Sequence, residues 1–156
     1  MSTFEYPVQV DWNGGRTGSG KVHLQRSDVQ FGVSVPVEFQ GPGIGTNPEE
    51  LLASAIVSCY CITFGIIATN RKLPVEHILV DAIGVVEQNG ATFTYREVTI
   101  KPKITVFPSA DEVAVQNVYE MAIRTDQYCI VGNAVRDKVL IKIEPEVCRS
   151  GERNSA

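Results

Sequence analysis

The residues best suited to chemistry in this sequence are its four cysteines: Cys59, Cys61, Cys129 and Cys148. A thiol becomes a nucleophile when its pKa falls below its free value of about 8.5, and cationic neighbours or helix ends lower it. The N-terminus shows no export signal, so we expect a cytoplasmic protein whose cysteines are thiols, ligands or catalysts rather than structural disulfides. Each cysteine, taken singly, is also compatible with a small buried hydrophobic residue.

A catalytic cysteine usually has a histidine partner, but the chain has only two histidines. His23 lies within a predicted strand and His77 at the start of another, so neither is placed by sequence to activate a thiol. Each is interpreted as a structural or surface residue. Arginine is the better candidate activator, and Arg16 lies in a glycine-rich turn, where a solvated polar residue is also expected.

A metal site is not expected at the cysteine pair. In a helix of 3.6 residues per turn, the sulfurs of Cys59 and Cys61 point about 200° apart and cannot chelate one ion. The usual spacings of zinc ligands are absent. No glycine-rich loop leads from a strand into a helix, so a nucleotide site has no support. We therefore expect no metal and no cofactor.

Residues 46–68, TNPEELLASAIVSCYCITFGIIA, predict a long buried helix. Asn47 suits the N-cap, Pro48 suits the first helical position, and Glu49 and Glu50 are favoured by the helix dipole. The uncharged remainder is apolar on every face, which is typical of a helix that is buried on all sides or spans a membrane. Its hydroxyl and thiol groups dilute the hydrophobicity, so a central helix wrapped by sheet, or by a second subunit, is favoured over a membrane span.

Alternating apolar residues predict strands on both sides of this helix, over residues 4–12, 20–26, 28–39, 75–88, 92–106 and 139–147. Asn89 and Gly90 predict a tight hairpin between the two longest strands. Ser109 and Glu112 predict a capping box that begins an amphipathic helix running to about residue 127. Strands joined by tight turns indicate antiparallel sheet, so the fold class is α+β.

The composition is that of one ordinary globular domain. The chain has 156 residues and a net charge of −4, with its basic residues scattered. No surface for nucleic acid or for a charged membrane is therefore expected. We predict a single domain over residues 1–148 and a loose tail over residues 149–156.

Two segments resemble a known family. Residues 46–55, TNPEELLASA, and the cysteine that follows them at position 59 resemble the signature of the OsmC/Ohr family of thiol peroxidases. The turn that ends at Arg16, GGR, resembles the family's early glycine-glycine-arginine turn, and Cys129 corresponds to its second cysteine. The resemblance implies an OsmC-like fold, in which antiparallel sheets wrap around the central helix.

The resemblance also implies a function. From it we expect a dithiol-dependent peroxidase that reduces organic hydroperoxides, with Cys59 as the peroxidatic thiol and Cys129 as the resolving thiol. Arg16 would activate Cys59, and Glu49 would orient the arginine. Apolar neighbours of the thiol, which we expect to be Ile56, Tyr60 and Phe64, would favour organic hydroperoxides. Cys61 and Cys148 lie outside the pattern.

The helix geometry adds a prediction about assembly. Ten residues separate Glu49 from Cys59, which is about 15 Å along a helix, too far for one carboxylate to reach the thiol of its own helix. Two central helices packed antiparallel would bring each Cys59 to Arg16 and Glu49 of the partner subunit, so we expect an intertwined homodimer. The residues around Cys129 depart from the family pattern, which keeps open a non-catalytic dimer that binds a small apolar ligand.

Overall fold

An antiparallel sheet of three strands forms the first unit of the chain, Met1–Leu51, in a computed structural model that describes residues 1–152. The strands are β1 (Val8–Asn13), β2 (Ser19–Leu24) and β3 (Val29–Ser34), which pair in chain order. The loop between β1 and β2 is the predicted hairpin that carries Arg16. Gly18 fits there because a side chain would collide with the Asn13 carbonyl oxygen.

The central helix α1 spans Pro48–Asn70, and its predicted start is confirmed. The side-chain oxygen of Asn47 accepts a hydrogen bond of 2.9 Å from the backbone N–H of Glu50, so Asn47 is the N-cap. By length and composition the helix is long and apolar enough to cross a membrane, and 22% of its most apolar stretch is buried within the chain. Its buried residues fall at intervals of four and form one stripe: Ile56, Tyr60, Phe64 and Ala68.

The second unit runs from Leu52 onward and contains a long hairpin. Its strands β4 (Val75–Asn89) and β5 (Thr92–Val106) are antiparallel, and Gly90 takes a positive φ of 60° in the predicted turn. The inner side chains of β5 are fully buried and form the core with α1 and with the next helix: Val98, Ile100, Ile104 and Val106.

The last strands differ from the sequence prediction. In place of one strand over residues 139–147, the chain forms β6 (Leu140–Ile143) and β7 (Glu146–Arg149). Both pair with β5 in parallel, because a long helical connection returns the chain to the same edge of the sheet. The sheet is therefore mixed rather than wholly antiparallel, within the α+β class that the sequence predicts.

Between β5 and β6 lie α2 (Glu112–Arg124), a 3₁₀ turn (Thr125–Tyr128) and α3 (Ile130–Val135). The predicted cap of α2 is wrong by two residues. The carboxylate of Asp111, not the hydroxyl of Ser109, accepts a hydrogen bond of 2.8 Å from the helix, because Asp111 directly precedes its first turn.

Arg149, which the sequence assigns to the loose tail, is instead the last residue of β7. Its guanidinium donates to the backbone oxygen of Ala110 at 2.9 Å and pairs with the carboxylate of Glu112. The end of the sheet is thereby tied to the start of α2. Of the rest of the predicted tail, residues 153–156 lie outside the described residues.

Candidate active site

The orientation of α1 in the second unit is fixed by Tyr60. Its ring lies parallel to that of Phe64 at a centroid distance of 6.4 Å, and its buried hydroxyl donates to the backbone oxygen of Ala122 at 2.8 Å. Because Tyr60 is locked in the core, the neighbouring Cys59 lies at one edge of the buried stripe, where its thiol is half-buried. The sulfur is therefore held by the core and remains open on one side.

Cys129 is fully buried between the 3₁₀ turn and α3. Its backbone N–H donates to the carbonyl of Asp126 at 3.0 Å, which closes the turn and aims the cysteine side chain inward. The thiols of Cys59 and Cys129 are hydrogen-bonded to each other. The structure thus brings together the two cysteines that the sequence singles out, which lie seventy residues apart in a chain of 156.

The surroundings of Cys59 favour its thiolate. Burial of the sulfur, the largest single influence, raises the pKa of Cys59, but hydrogen bonds to the sulfur outweigh burial and hold its pKa below the ordinary thiol value. Two come from the backbone N–H groups of Val131 and Ile130, and two from the side chains of Cys129 and Thr63. A sulfur that accepts several hydrogen bonds is more stable as an anion.

Cys129 shows the opposite behaviour. Burial, together with the hydrogen bond to Cys59 and the proximity of its charge, raises the pKa of Cys129 to about 12. At neutral pH Cys129 is therefore a protonated thiol, which can donate its hydrogen to the Cys59 sulfur. The pair therefore combines one sulfur that ionises more readily with one that keeps its proton.

An ion pair holds the segment that carries Cys129. Asp126, whose side chain is 8% exposed, accepts a bond of 2.7 Å from Arg136, and the same guanidinium donates to the backbone oxygen of Asp126 at 2.9 Å. Asn133 accepts from Arg136 as well. Gly132 leaves room for the carboxylate, since a Cβ there would lie 2.7 Å from its second oxygen. This clamp fixes the 3₁₀ turn against α3.

The other predicted site residues lie in the first unit, Met1–Leu51. Arg16 is exposed at the hairpin tip, where its guanidinium donates to the side-chain oxygen of Gln40 at 3.1 Å. Glu49 is half-buried in the first turn of α1. The roles of Arg16 and Glu49 at the thiol stay predictions.

One expectation about the substrate pocket is wrong. Ile56, Tyr60 and Phe64 do not line an open pocket at the thiol, because all three belong to the stripe of α1 that is buried in the core. The apolar residues that flank Cys129 in the sequence, Tyr128 and Ile130, are instead exposed, with 56% and 82% of their surface accessible.

The remaining candidates have ordinary surroundings. Burial raises the pKa of Cys61, which packs at the opposite edge of the stripe. Cys148 lies in β7, with its sulfur 4.0 Å from the hydroxyl of Thr105. His23 pairs with Asp28 at 2.8 Å on the first sheet. Across residues 1–152, no group of three or more cysteine, histidine or acidic side chains is arranged to hold a metal ion.

Comparison with known proteins places this arrangement in a family. A sequence model of the OsmC-like proteins matches residues 41–144. The chain belongs to the OsmC-like protein family. It is 26% identical over 152 residues to the uncharacterized protein YmaD of Bacillus subtilis, covering 97% of this chain and 100% of that one. It is 27% identical over 137 residues to the organic hydroperoxide resistance protein of Xanthomonas axonopodis pv. citri, covering 86% and 89%.

Solved structures show the same OsmC-like fold. An organic hydroperoxide resistance protein OsmC from Legionella pneumophila superposes with a TM-score of 0.73 at 20% identity, over 93% of this chain and 100% of that one. An OsmC-like protein of unknown function from Vibrio cholerae superposes with a TM-score of 0.74 at 18% identity, over 94% and 100%. The predicted resemblance and fold are therefore confirmed, with α1 as the core helix of an OsmC-like protein.

Sequence reasoning missed three groups of this OsmC-like site. The hydroxyl of Thr63 and the backbone N–H groups of Ile130 and Val131 all donate to the Cys59 sulfur. The sequence spacing could have identified Thr63, because residues four apart share a helix face and Thr63 follows Cys59 by four. No sequence pattern could have identified the two backbone N–H groups, since their direction depends on how the chain turns after Cys129.

Proposed function

We propose that this OsmC-like protein is a two-cysteine peroxidase that reduces organic hydroperoxides to alcohols at the expense of an external dithiol. The observation that carries the proposal is the hydrogen-bonded pair of Cys59 and Cys129, with the pKa lowered in the first and raised in the second. The relative named for organic hydroperoxide resistance, at 27% identity, supports the same reaction.

In the first step the Cys59 thiolate attacks the terminal oxygen of the hydroperoxide. An S–O bond forms and the O–O bond breaks, which leaves a sulfenic acid on Cys59 and an alkoxide. The alkoxide takes up a proton equivalent to the one that Cys59 released on ionising, and it departs as the alcohol. Exposed Tyr128 and Ile130 offer an apolar rim for the organic group of such a substrate.

In the second step Cys129 attacks the sulfur of oxidised Cys59. A disulfide forms, the S–O bond breaks, and the leaving hydroxide takes the Cys129 proton as water. Once Cys59 has become a neutral sulfenic acid, the charge that raised the pKa of Cys129 is gone, so Cys129 ionises more readily after the peroxide has reacted. The dithiol then reduces the disulfide and is itself oxidised, which restores both thiols.

A second copy of the chain completes the proposed site. The outer face of α1 exposes 65% of Ile62 and 56% of Ile66, so an apolar surface of the core helix is uncovered in one chain. Antiparallel packing of two such helices would cover it and bring Arg16 and Glu49 of the partner subunit to each Cys59. The arginine would then bind the peroxide and stabilise charge on the leaving oxygen. A reducing, cytoplasmic location fits the need for a dithiol.

The test is peroxide consumption with cumene hydroperoxide and dithiothreitol, for the wild type and for Cys59→Ser and Cys129→Ser. We expect many turnovers for the wild type and none for Cys59→Ser. Cys129→Ser should stall as a sulfenic acid that dimedone traps on Cys59. Hydrogen peroxide should be the poorer substrate.

The proposed peroxidase activity would be refuted if the wild type consumed no more than one equivalent of peroxide per thiol. That result would favour the alternative of an OsmC-like dimer that binds a small apolar ligand. Turnover that survives in Cys59→Ser would refute the assignment of the nucleophile.

A further inference from the structure

Thr63 behaves differently from two other hydroxyl residues of α1, Ser58 and Thr69. A serine or threonine inside a helix commonly donates to the backbone carbonyl four residues earlier. Ser58 does so at 2.7 Å, to Ser54, and Thr69 does so at 2.9 Å, to Gly65. The hydroxyl of Thr63 is turned instead toward the two thiols, with its oxygen 3.8 Å from the Cys129 sulfur.

The position of Thr63 explains how it reaches both sulfurs. It follows Cys59 by one helical turn, so the two side chains lie one above the other on the same face of α1. The half-buried hydroxyl contacts the Cys59 sulfur from within the helix and the Cys129 sulfur across the gap to α3. A hydroxyl is both donor and acceptor, so it can serve one sulfur in each role.

We propose that Thr63 is a positioning residue that joins the two thiols in the reduced protein and relays the Cys129 proton when the disulfide forms. The proposal rests on the proposed peroxidase function. It follows from the placement of one hydroxyl between two sulfurs and from its departure from the usual bond to the helix backbone. Neither Cys61 nor Cys148 has a hydroxyl shared with a second thiol among the described residues.

In the reduced protein Thr63 donates its hydrogen to the Cys59 thiolate. During resolution the Cys129 sulfur forms a bond to the Cys59 sulfur, and the S–O bond of the sulfenic acid breaks. The thiol proton of Cys129 passes to the oxygen of Thr63, while the hydroxyl proton of Thr63 passes to the leaving hydroxide and forms water. Thr63 ends with one proton as it began, so no additional acid or base is consumed.

The test compares Thr63→Val, which keeps the shape and removes the hydroxyl, with Thr63→Ser, which keeps the hydroxyl. Thr69→Val is the matched control, because Thr69 lies on the same helix and its hydroxyl donates to the backbone oxygen of Gly65. Thermal unfolding of each variant checks that the fold is retained. Both measurements below are made on all four proteins, including the wild type.

The first measurement is the rate of Cys59 alkylation by iodoacetamide between pH 5 and 10, in reduced protein without peroxide. Peptide mass spectrometry separates Cys59 from the other cysteines. Loss of one hydrogen bond to the thiolate should raise the pKa of Cys59, and a rise of one pKa unit lowers the rate at neutral pH about tenfold. We expect a loss of roughly three- to tenfold in Thr63→Val, and wild-type rates in Thr63→Ser and Thr69→Val.

The second measurement is the lifetime of the Cys59 sulfenic acid after one equivalent of cumene hydroperoxide, by rapid quenching with dimedone. Loss of a proton relay should lengthen that lifetime in Thr63→Val on the order of 10- to 100-fold. Thr63→Ser should restore rapid resolution. A second step that is slowed more than the first in Thr63→Val, and restored in Thr63→Ser, is a result that a packing defect would not give.

The proposal is overturned if Thr63→Val changes neither the alkylation profile nor the sulfenic acid lifetime. It is also overturned if Thr63→Ser loses as much as Thr63→Val, because Thr63→Ser keeps the hydroxyl and the loss would then not depend on it. Failure of the peroxidase function itself would be distinguishable. The wild type would then show no turnover, whereas the alkylation arm uses no peroxide and would still report the effect of Thr63 on the thiolate.

Discussion

Cys59 and Cys61 lie two residues apart on one helix, yet the pKa values of their thiols are shifted in opposite directions. Their side chains point about 200° apart, toward opposite edges of the buried stripe of α1. Both thiols are half-buried. Burial raises the pKa of Cys61, whereas hydrogen bonds overcome burial at Cys59 and lower its pKa.

The difference between the two thiols lies in what the rest of the chain brings to them. The edge with Cys59 faces the start of α3, which supplies backbone N–H groups, and Thr63 adds its hydroxyl. The edge with Cys61 packs against apolar side chains of the core. Burial alone therefore does not make a cysteine inert, and the donors around the sulfur decide whether it ionises.

Replacement of each thiol should give the largest contrast. We expect Cys59→Ser to lower peroxide turnover by at least about 10³-fold, because the nucleophile is lost. Cys61→Ser should stay within about twofold of the wild type, because that sulfur lies at the other edge of α1. The measurement is steady-state consumption of cumene hydroperoxide with dithiothreitol. Equal losses of peroxide turnover in the two variants would show that the two edges of the buried stripe do not differ in function.

The inner and outer faces of α1 should differ in what they stabilise. Phe64 is 1% exposed and Ile62 is 65% exposed. Phe64→Ala should lower the free energy of unfolding by about 3–5 kcal/mol at every protein concentration, because it leaves a core cavity. Ile62→Ala should act only through the proposed dimer, so its effect on the urea midpoint should vary with protein concentration.

Urea unfolding at two concentrations a hundredfold apart separates these cases. Sedimentation of the wild type as a monomer, together with an unchanged midpoint in Ile62→Ala, would refute the proposed homodimer. It would also leave the apolar outer face of α1 without a covering partner.

The sequence predicts those features that depend on short stretches of chain. The start of α1 at Asn47 and the turn at Gly90 are correct because a capping side chain and a positive φ are local properties. The cysteine pair followed from a family resemblance. The buried stripe of α1 was not predicted, because a helix that is apolar all round has no pattern that distinguishes its inner face.

Features that depend on distant parts of the chain were not predictable. The parallel pairing of β6 and β7 depends on the path of the whole helical connection. The exposure of Tyr128 and Ile130 on either side of the buried Cys129 depends on a 3₁₀ turn, which ends α2 earlier than the helical pattern indicates. Long-range geometry of this kind leaves no periodic signal in one sequence.

The ion-pair clamp between Asp126 and Arg136, on the segment that carries Cys129, offers a third test. Arg136→Met would leave the nearly buried carboxylate of Asp126 without its ion pair, which should lower the free energy of unfolding by about 1–3 kcal/mol. The matched control is Arg96→Met, since Arg96 pairs with Glu87 where both side chains are more than half exposed. That change should cost less than about 1 kcal/mol.

Arg136→Met should also slow alkylation of Cys59, because the clamp holds the backbone donors of α3 in place. Chemical denaturation and iodoacetamide alkylation at neutral pH are the two readouts. Unfolding free energies that fall equally in Arg136→Met and Arg96→Met would show that the clamp has no special role in stability. An unchanged alkylation rate would show that the donors do not depend on it.

The smallest expected effects are opposite changes of stability with pH. The folded-state pKa of Cys59 is lowered, so the unfolded chain binds more protons between the folded and unfolded pKa values. Cys59 therefore contributes stability that is present above the unfolded thiol pKa and is lost as pH falls through the folded one. The pKa of Cys61 is raised, so its contribution is present below the unfolded pKa and is lost as pH rises through the folded one.

Between pH 7 and 9.5, under reducing conditions, the two replacements should therefore change the pH dependence of the free energy of unfolding in opposite directions. Relative to the wild type, Cys59→Ser should lose more stability over this interval, because the gain from the thiolate is removed. Cys61→Ser should lose less, because the penalty for ionising a buried thiol is removed. Urea midpoints of the three proteins at both pH values measure the difference. Slopes that shift in the same direction for both variants would show that the two edges of α1 treat a thiolate alike.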